Sequence, residues 1–401
     1  MNLSFSPSEE AFRAELRDWL ASVLPTLPPP PPKEDWPARR AYDLAWQRML
    51  HQAGYAGVDW PKEWGGRGAT PTEQMIFLEE TERAHAPYVG VNFVGLLHAG
   101  PTIAACGTPE QKARYLPAIL AGEEVWCQGF SEPGAGSDLA SLSTTAVRDG
   151  DCYVVSGQKI WTSHAQVADL CELLVRTDPE APKHRGITWL IMDMASEGVT
   201  VRPLKTIGGS SEFSEVFLDE VRIPVANRVG EENDGWRIAM VTFSFERGTA
   251  FISDLVRSRE LLARVAELAS GITPVDRGIM REIGHLTAQL DGLWALTRRN
   301  VSEAAAGTPG PGASVFKLAY TEMRQKLGAL AMRVLGRAAL VASGFPADLG
   351  GPQVDLRLTR ASELVEAFIY GISMSIAAGT SQIQRNIIAE RVLGLPKEPA
   401  A

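Results

Sequence analysis

Cysteine is scarce and badly placed for cross-linking. The four residues, Cys106, Cys127, Cys152 and Cys171, include no Cys-x-x-Cys pair. A disulfide or zinc framework is therefore not what organises the chain, and the thiols read as reduced. The six histidines lie apart without metal-type spacing, so no metal site is expected. No apolar run reaches about 18 residues, which excludes a membrane-spanning helix. The first residues, MNLSFSPSEE, lack the basic-then-apolar pattern of a secretory leader. A basic surplus is missing too: 48 acidic residues face 39 basic ones, for a formal charge of −9. That disfavours nucleic-acid and acidic-membrane partners. These absences point to a cytoplasmic protein with neither nucleic acid nor membrane insertion in its function.

What is present is an ordinary globular mix, with 45% hydrophobic and 22% charged residues among 401. That length suits two or three domains. Three textures follow one another. Over 1–121 the patterns are helical. Ser6-Pro7-Ser8-Glu9 places a capping serine, a proline at the first helical position and a glutamate three residues on. Phe12, Leu16, Trp19 and Leu20 follow on one face. Pro28 to Pro32 must be an extended connector. Further helices are predicted over 38–53, 71–85 and 109–121. Over 122–230 short β-branched runs alternate with turn signals, and Asp149-Gly150 and Ser156-Gly157 read as hairpin turns. Eight short strands in this stretch predict a β-barrel or sandwich. From 231 to 401 the chain is helical again, over 235–270, 277–306, 314–343 and 356–375, with a last helix opening at Thr380. Four long helices with short connections read as a bundle.

Three stretches carry chemistry. Ser131-Glu132-Pro133-Gly134-Ala135-Gly136-Ser137-Asp138 follows a strand, and its small residues let backbone N–H groups approach a phosphate or pyrophosphate, with the Ser137 hydroxyl beside them. Lys159-Ile160-Trp161-Thr162-Ser163 sets a large flat ring next to two hydroxyls. Gly379-Thr380-Ser381-Gln382 opens the final helix, with Thr380 as N-cap and free N–H groups behind it. Read singly, each is better taken as an ordinary turn, a packed tryptophan or a well-capped helix.

In this order, with an α–β–α layout around them, the three stretches resemble the acyl-CoA dehydrogenase family. PKEWGG at 61–66, GTPEQK at 107–112, GFSEPGAGSD, SGQKIWTS, SEVFLDEVRIP and GTSQIQRNIIAERVLG extend the likeness over nearly the whole chain. The resemblance implies an α+β fold: an N-terminal helical domain, a central β-barrel and a C-terminal four-helix bundle. It implies FAD between barrel and bundle. Gln128, Phe130, Ser131 and the turn with Ser137 would lie on one side of the flavin. Trp161, Thr162 and Ser163 would flank its ring, and Thr380 and Gln382 would hold it near the final helix. Ser137, Ser244, Arg247 and the backbone of Ala378 would line the acyl-CoA channel. The partners implied are the acyl-CoA substrate, an electron-transferring flavoprotein, and sister subunits in a homotetramer or a heterotetramer with a related chain.

The chain also departs from the family. The usual base is a glutamate just before the Gly-Thr of the last motif, where this chain has Ala378. Some members carry the base on the first bundle helix, and the matching residue here is Glu246 in Ser244-Phe245-Glu246-Arg247. On a continuous helix Ala239, Thr242, Glu246, Thr249 and Ser253 share one small, polar stripe that reads as a cavity wall, with Trp236, Met240 and Phe243 as packing positions. A carboxylate between apolar groups and a flavin has its pKa raised, which suits a base. A salt bridge with a nearby arginine is the structural alternative. The family's Arg-x-x-Phe-Gly motif is missing from 276–281, so the ADP end would be held by Arg277, Arg281 or a partner chain. An oxidase or hydroxylase on the same fold, and a non-catalytic subunit sharing FAD, stand as alternatives to a dehydrogenase.

Overall fold

A computed structural model describes residues 5–32, 34–246, 251–272, 274, 276–307, 310, 312–340 and 356–397; for Glu246 and 356–360 it describes the backbone alone. The N-terminal helices are α1 (Pro7–Val23), α2 (Trp36–Gln52), α3 (Pro71–Arg83), α4 (Gly100–Cys106) and α5 (Pro109–Ala121). Their starts follow from the sequence. Ser6, Thr70 and Thr108 each form a reciprocal capping box with the residue three positions on, and each is followed by proline. A single π-helical turn over Gly95–Ala99 runs into α4 and was not expected. Trp60 explains it: the indole N–H takes the Leu96 carbonyl at 3.0 Å, and its ring lies where a side chain at residue 100 would stand, which only Gly100 permits.

Eight strands follow: β1 (Trp126–Gly129), β2 (Thr145–Asp149), β3 (Cys152–Ser163), β4 (Leu170–Arg176), β5 (Ile187–Asp193), β6 (Val199–Leu204), β7 (Phe213–Pro224) and β8 (Arg228–Val229). They form one sheet in the order β6-β7-β3-β2-β4-β5-β8, with β1 paired parallel to β4. The sheet curls around a core of its own that includes Tyr153, Val155, Leu173, Leu190, Val216 and Ile223. Ser156-Gly157 is not a hairpin turn. It lies inside β3, where the register against β7 shifts between Val155 and Gly157. The physical reason is space: a side chain at 157 would strike Thr144, so glycine marks a close approach between strands rather than a reversal.

The last third contains α6 (Gly235–Glu246), α7 (Ile252–Ser270), α8 (Arg277–Ala305), α9 (Gly312–Leu335), α10 (Leu356–Met374) and α11 (Ser381–Ile387). The continuous helix expected over 235–270 is two helices. α7 starts afresh, with Phe251 in a non-helical conformation at its N-cap. The stripe built on that continuity fails as a cavity wall. Ala239 and Thr242 are fully buried, Ala239 in the core shared by the N-terminal helices and the sheet, and the Thr242 hydroxyl bonds Thr102 of α4 at 2.9 Å. Ser253 bonds the Leu78 carbonyl, and Thr249 lies outside the described residues. Trp236 and Phe243 do pack, as expected, against that same core. α7, α8, α9 and α10 enclose a separate core around Leu286, Tyr320, Leu327 and Leu364. α6 is thus fastened to the first two domains, and the other long helices form the bundle.

Candidate active site

The glycine turn is held from behind by a buried ion pair. Glu132 and Ala135 exchange backbone bonds at 3.1 and 3.0 Å, closing the turn. The Glu132 carboxylate accepts from the Ser143 and Thr144 N–H groups, the Ser143 hydroxyl and the Lys159 ammonium, all within 2.7–2.9 Å. Lys159 is fully buried and also donates to the Phe130 carbonyl at 3.2 Å. Burial alone would raise the Glu132 pKa, but the charge and hydrogen bonds of Lys159, with those of Thr144 and Ser143, bring it down to about 2. Burial pushes Lys159 down, against the pull of Glu132. In front, Gly134, Gly136 and Ser137 are exposed, and a side chain at either glycine would meet nothing within 4 Å. Ser131 is half-buried, its carbonyl tied to the Ile160 N–H.

Next along the sheet, the β3–β7 ladder shifts register again between Lys159 and Thr162. This bulge turns Trp161 outward with a left-handed backbone, φ 59°, which an aromatic residue adopts only under strain. Its ring is 57% exposed and meets Phe213 edge-on at 5.8 Å. Thr162 beside it is fully buried, and its hydroxyl has no partner among the described residues. Ser163 is half-buried opposite Phe213. A strained open indole beside an orphaned hydroxyl fits a flat, hydrogen-bonding ligand. Gln128 behaves differently from its neighbours: its amide donates to Glu172 at 2.8 Å and lies 3.4 Å from His98, whose pKa burial lowers to about 4.

The helical side is built on the loop between α10 and α11. Ala378 has φ 51° and Gly379 φ 84°, so the chain reverses through two left-handed residues. Thr380 caps α11, accepting from the Ile383 N–H at 3.2 Å, and Gln382 is exposed. Gln384 rather than Gln382 is the buried glutamine. It donates to the Ala378 carbonyl at 3.2 Å, and Lys317 of α9 donates to the Gly379 carbonyl. Burial lowers Lys317 to about 8. Gln325 ties Ser375 at 2.8 Å. The Ala378 N–H has no acceptor among the described residues. A cavity of about 410 Å³ opens beside the loop, lined by Gln325, Ser375, Ile376, Thr380, Ser381 and Gln382 among others.

Phe130 meets Phe243 of α6 at 6.0 Å, within the core that α6 shares with the sheet. The 205–212 loop reaches the bundle, where a side chain at Gly208 would stand 3.6 Å from Ile369 of α10. Glu246 closes α6, its side chain and all of Arg247 lying outside the described residues. The Ser244 hydroxyl is taken up by the Val241 carbonyl of its own helix. Arg277 and Arg281 are exposed on the first turns of α8. Sequence reasoning missed Glu132, Lys159, Lys317 and Gln384 as site builders. A lysine inside a β-branched strand, and another on the apolar face of a predicted helix, were the available signals.

The fold is an α–β–α scaffold whose sheet presents an exposed indole beside an orphaned hydroxyl, a surface suited to a flat cofactor. Models of the acyl-CoA dehydrogenase N-terminal, middle and C-terminal domains match residues 6–123, 127–221 and 233–393. Acyl-CoA dehydrogenase IpdE1 of Mycobacterium tuberculosis (strain ATCC 25618 / H37Rv) is 38% identical over 403 residues, covering 97% of this chain and 98% of that one. FadE26 of the same organism is 37% identical, covering 99% of each. Among solved structures, the Tcur3481-Tcur3483 steroid ACAD superposes with a TM-score of 0.83 at 31% identity, over 99% of this chain and 100% of that one. The ChsE4-ChsE5 complex from Mycobacterium tuberculosis gives 0.81 at 35% identity over the same shares. The chain belongs to the acyl-CoA dehydrogenase family, and is an FAD-dependent enzyme of it. Among the described residues no helix is long and apolar enough to cross a membrane, and no cluster of His, Cys, Asp and Glu could hold a metal ion.

Proposed function

We propose that this enzyme dehydrogenates an acyl-CoA thioester between Cα and Cβ to the trans-2-enoyl-CoA, with Glu246 as the base that takes the α-proton. The observation that carries the reading is a complementary pair: alanine stands before Gly379, where it can take no proton, and a carboxylate, Glu246, stands at the C-terminal end of α6. Bound FAD supplies the acceptor, at N5, for the hydride that leaves Cβ. The exposed Trp161 ring and the unpaired Thr162 hydroxyl, with Ser163, Gln128, Phe130 and Ser131 around them, would hold the flavin. Thr380 and Gln382 would hold it from the bundle. The free Ala378 N–H would donate to the thioester carbonyl, where negative charge grows as the α-proton leaves. This donor belongs to the backbone, so losing the glutamate side chain at 378 does not remove it. Ser137, Ser244 and Arg247 would line the path of the CoA arm.

A related subunit is the partner this reading favours, in a heterotetramer, with an electron-transferring flavoprotein as the re-oxidant. The Arg-x-x-Phe-Gly motif is missing at the start of α8, and Ile376, Val392, Leu393 and Leu395 leave apolar surface exposed around α11. Two of the similar structures carry two-protein names. Acyl groups of the steroid kind are the substrate class to try first. Anaerobic titration with a panel of acyl-CoAs tests the activity. A productive thioester bleaches the flavin and yields the enoyl-CoA, whereas a flavin that stays oxidised with every thioester sinks the reading.

A further inference from the structure

A carboxylate is sealed inside the apolar sheet. Glu172 lies in the middle of β4, where Leu170, Cys171, Leu173, Leu174 and Val175 are all buried, and it is itself 0% exposed. Sequestering a carboxylate is costly, so this one calls for a use. β1 runs parallel to β4 with Gln128 opposite Glu172, which sets the two side chains on the same face of the sheet. There the Gln128 amide nitrogen donates to Glu172 Oε1 at 2.8 Å and lies 3.4 Å from His98 Nδ1. His98 belongs to the π-helical turn before α4, a distortion that gathers at functional sites, and Phe93 meets its ring edge-on at 5.5 Å. With its pKa lowered by burial to about 4, the imidazole is uncharged at neutral pH, and Nδ1 can accept.

These contacts decide which way the amide faces. A glutamine amide carries its donors on nitrogen and only acceptor lone pairs on oxygen. An ionised carboxylate only accepts, so the nitrogen must face Glu172; turned over, the amide would press its oxygen against another oxygen. Glu172 and His98 thus occupy the nitrogen side, and the carbonyl Oε1 points away from them. No donor among the described residues meets that oxygen, and it is not one of the sealed, partnerless atoms, Gln128 being half-buried. The sheet therefore presents a hydrogen-bond acceptor whose orientation is set in advance.

Such an acceptor wants an N–H. A flavin ring carries one between two carbonyl groups, and a misoriented amide there would set donor against donor or oxygen against oxygen. We propose that Glu172 is a positioning residue that, through Gln128, holds a hydrogen-bond acceptor toward a ring N–H of the bound flavin. Glu172 is itself sealed from any ligand and acts only through the amide, with His98 as the second hold on the same nitrogen. The proposal rests on the reading that puts Gln128 beside the flavin, and adds to it the residues that fix the amide and the end of it that the flavin meets.

The test measures Kd for FAD by diluting the purified holoenzyme, with any subunit that purifies with it, and following the fluorescence of released cofactor. Far-UV circular dichroism confirms the fold of each variant. Gln128→Leu should raise Kd by ~10-fold, about the worth of one hydrogen bond. Glu172→Leu suits an apolar strand but frees the amide to turn, and should raise Kd by ~5-fold or more. Glu172→Gln keeps an acceptor for the amide nitrogen and should stay within about twofold of the parent. Gln128→Leu combined with Glu172→Leu should bind within about twofold of Gln128→Leu alone, because Glu172 then has nothing left to orient. Unchanged affinity in Gln128→Leu or Glu172→Leu, or losses that multiply in the double variant, would overturn the proposal. If Glu172→Leu does not fold, His98→Leu takes its place in the cycle with the same expected outcomes. Affinity for FAD does not depend on turnover. A parent flavin that no thioester bleaches would therefore sink the dehydrogenase reading and leave this cycle to be decided on its own.

Discussion

α6 and the α10–α11 loop, the two elements that would carry the base and the electrophile, are anchored in different ways. α6 is sunk into the core shared by the N-terminal helices and the sheet, through Ile238 and Ala239, the Thr242–Thr102 bond and the Phe243–Phe130 contact. The loop is held to α9 and α11 by side chains from Lys317, Gln325 and Gln384 and bent through a left-handed alanine. A base on α6 is therefore carried by the same rigid body that carries Phe130 and the glycine turn. A base on the loop would depend on how bundle and sheet sit together. The comparison suggests why the carboxylate can move without loss of the electrophile: the loop need present only a backbone N–H.

The comparison can be broken from the sheet side first, where the largest effect on stability is expected. Glu132→Gln removes the charge that balances buried Lys159, and should cost about 3 kcal/mol, in the range for one partner of a buried pair. The folded pKa of Glu132, about 2, lies below its ordinary 4.5. Its contribution is therefore present above 4.5 and fades as pH falls toward 2. Urea midpoints across that window should fall with pH in the parent, and less steeply in the variant.

A smaller effect is expected on the loop. Lys317→Met takes the lysine donor from the Gly379 carbonyl, leaving only the long 3.4 Å bond from Gln384, and should slow flavin reduction by ~10-fold, about the worth of one hydrogen bond. Unchanged far-UV circular dichroism would place the loss in the loop's position rather than in the bundle. The smallest effect is at Ala378 itself. Valine there must hold a branched side chain at positive φ and should cost ~1–2 kcal/mol, whereas Ala378→Gly relieves strain and loses chain stiffness in similar measure, staying within ~0.5 kcal/mol. Thermal unfolding of the pair checks both.

The α–β–α order, the capping boxes and the three motif stretches were legible because caps, prolines and alternating apolar runs are local signals. The site's supports were not. Lys159 appears in the sequence only as a charged residue in a strand, and its partner Glu132 stands in another segment. Gln382 and Gln384 share one motif, and only the fold tells which of them turns inward. The continuous helix over 235–270 misled because a helical stripe, Thr242, Glu246, Thr249 and Ser253, can be drawn across the junction, whereas the capping geometry at Phe251 is a property of the backbone. The second bulge in β3 was illegible for the same reason. It costs backbone strain at Trp161, and no pattern of residue types announces it.

The central claim is that the base stands on α6 and not on the loop. Anaerobic stopped-flow reduction of the flavin tests it most directly, with the parent, Glu246→Gln and Glu246→Gln carrying Ala378→Glu. Glutamine keeps the size of the side chain and removes the proton acceptor. The single variant should keep its flavin and bind acyl-CoA, yet be reduced at least ~100-fold more slowly, the lower end of what a positioned base supplies. The double variant should recover part of that rate, because a carboxylate at 378 would face the same Cα from the loop side. Reduction of Glu246→Gln at the parental rate would contradict the account and leave Glu246 as a structural residue.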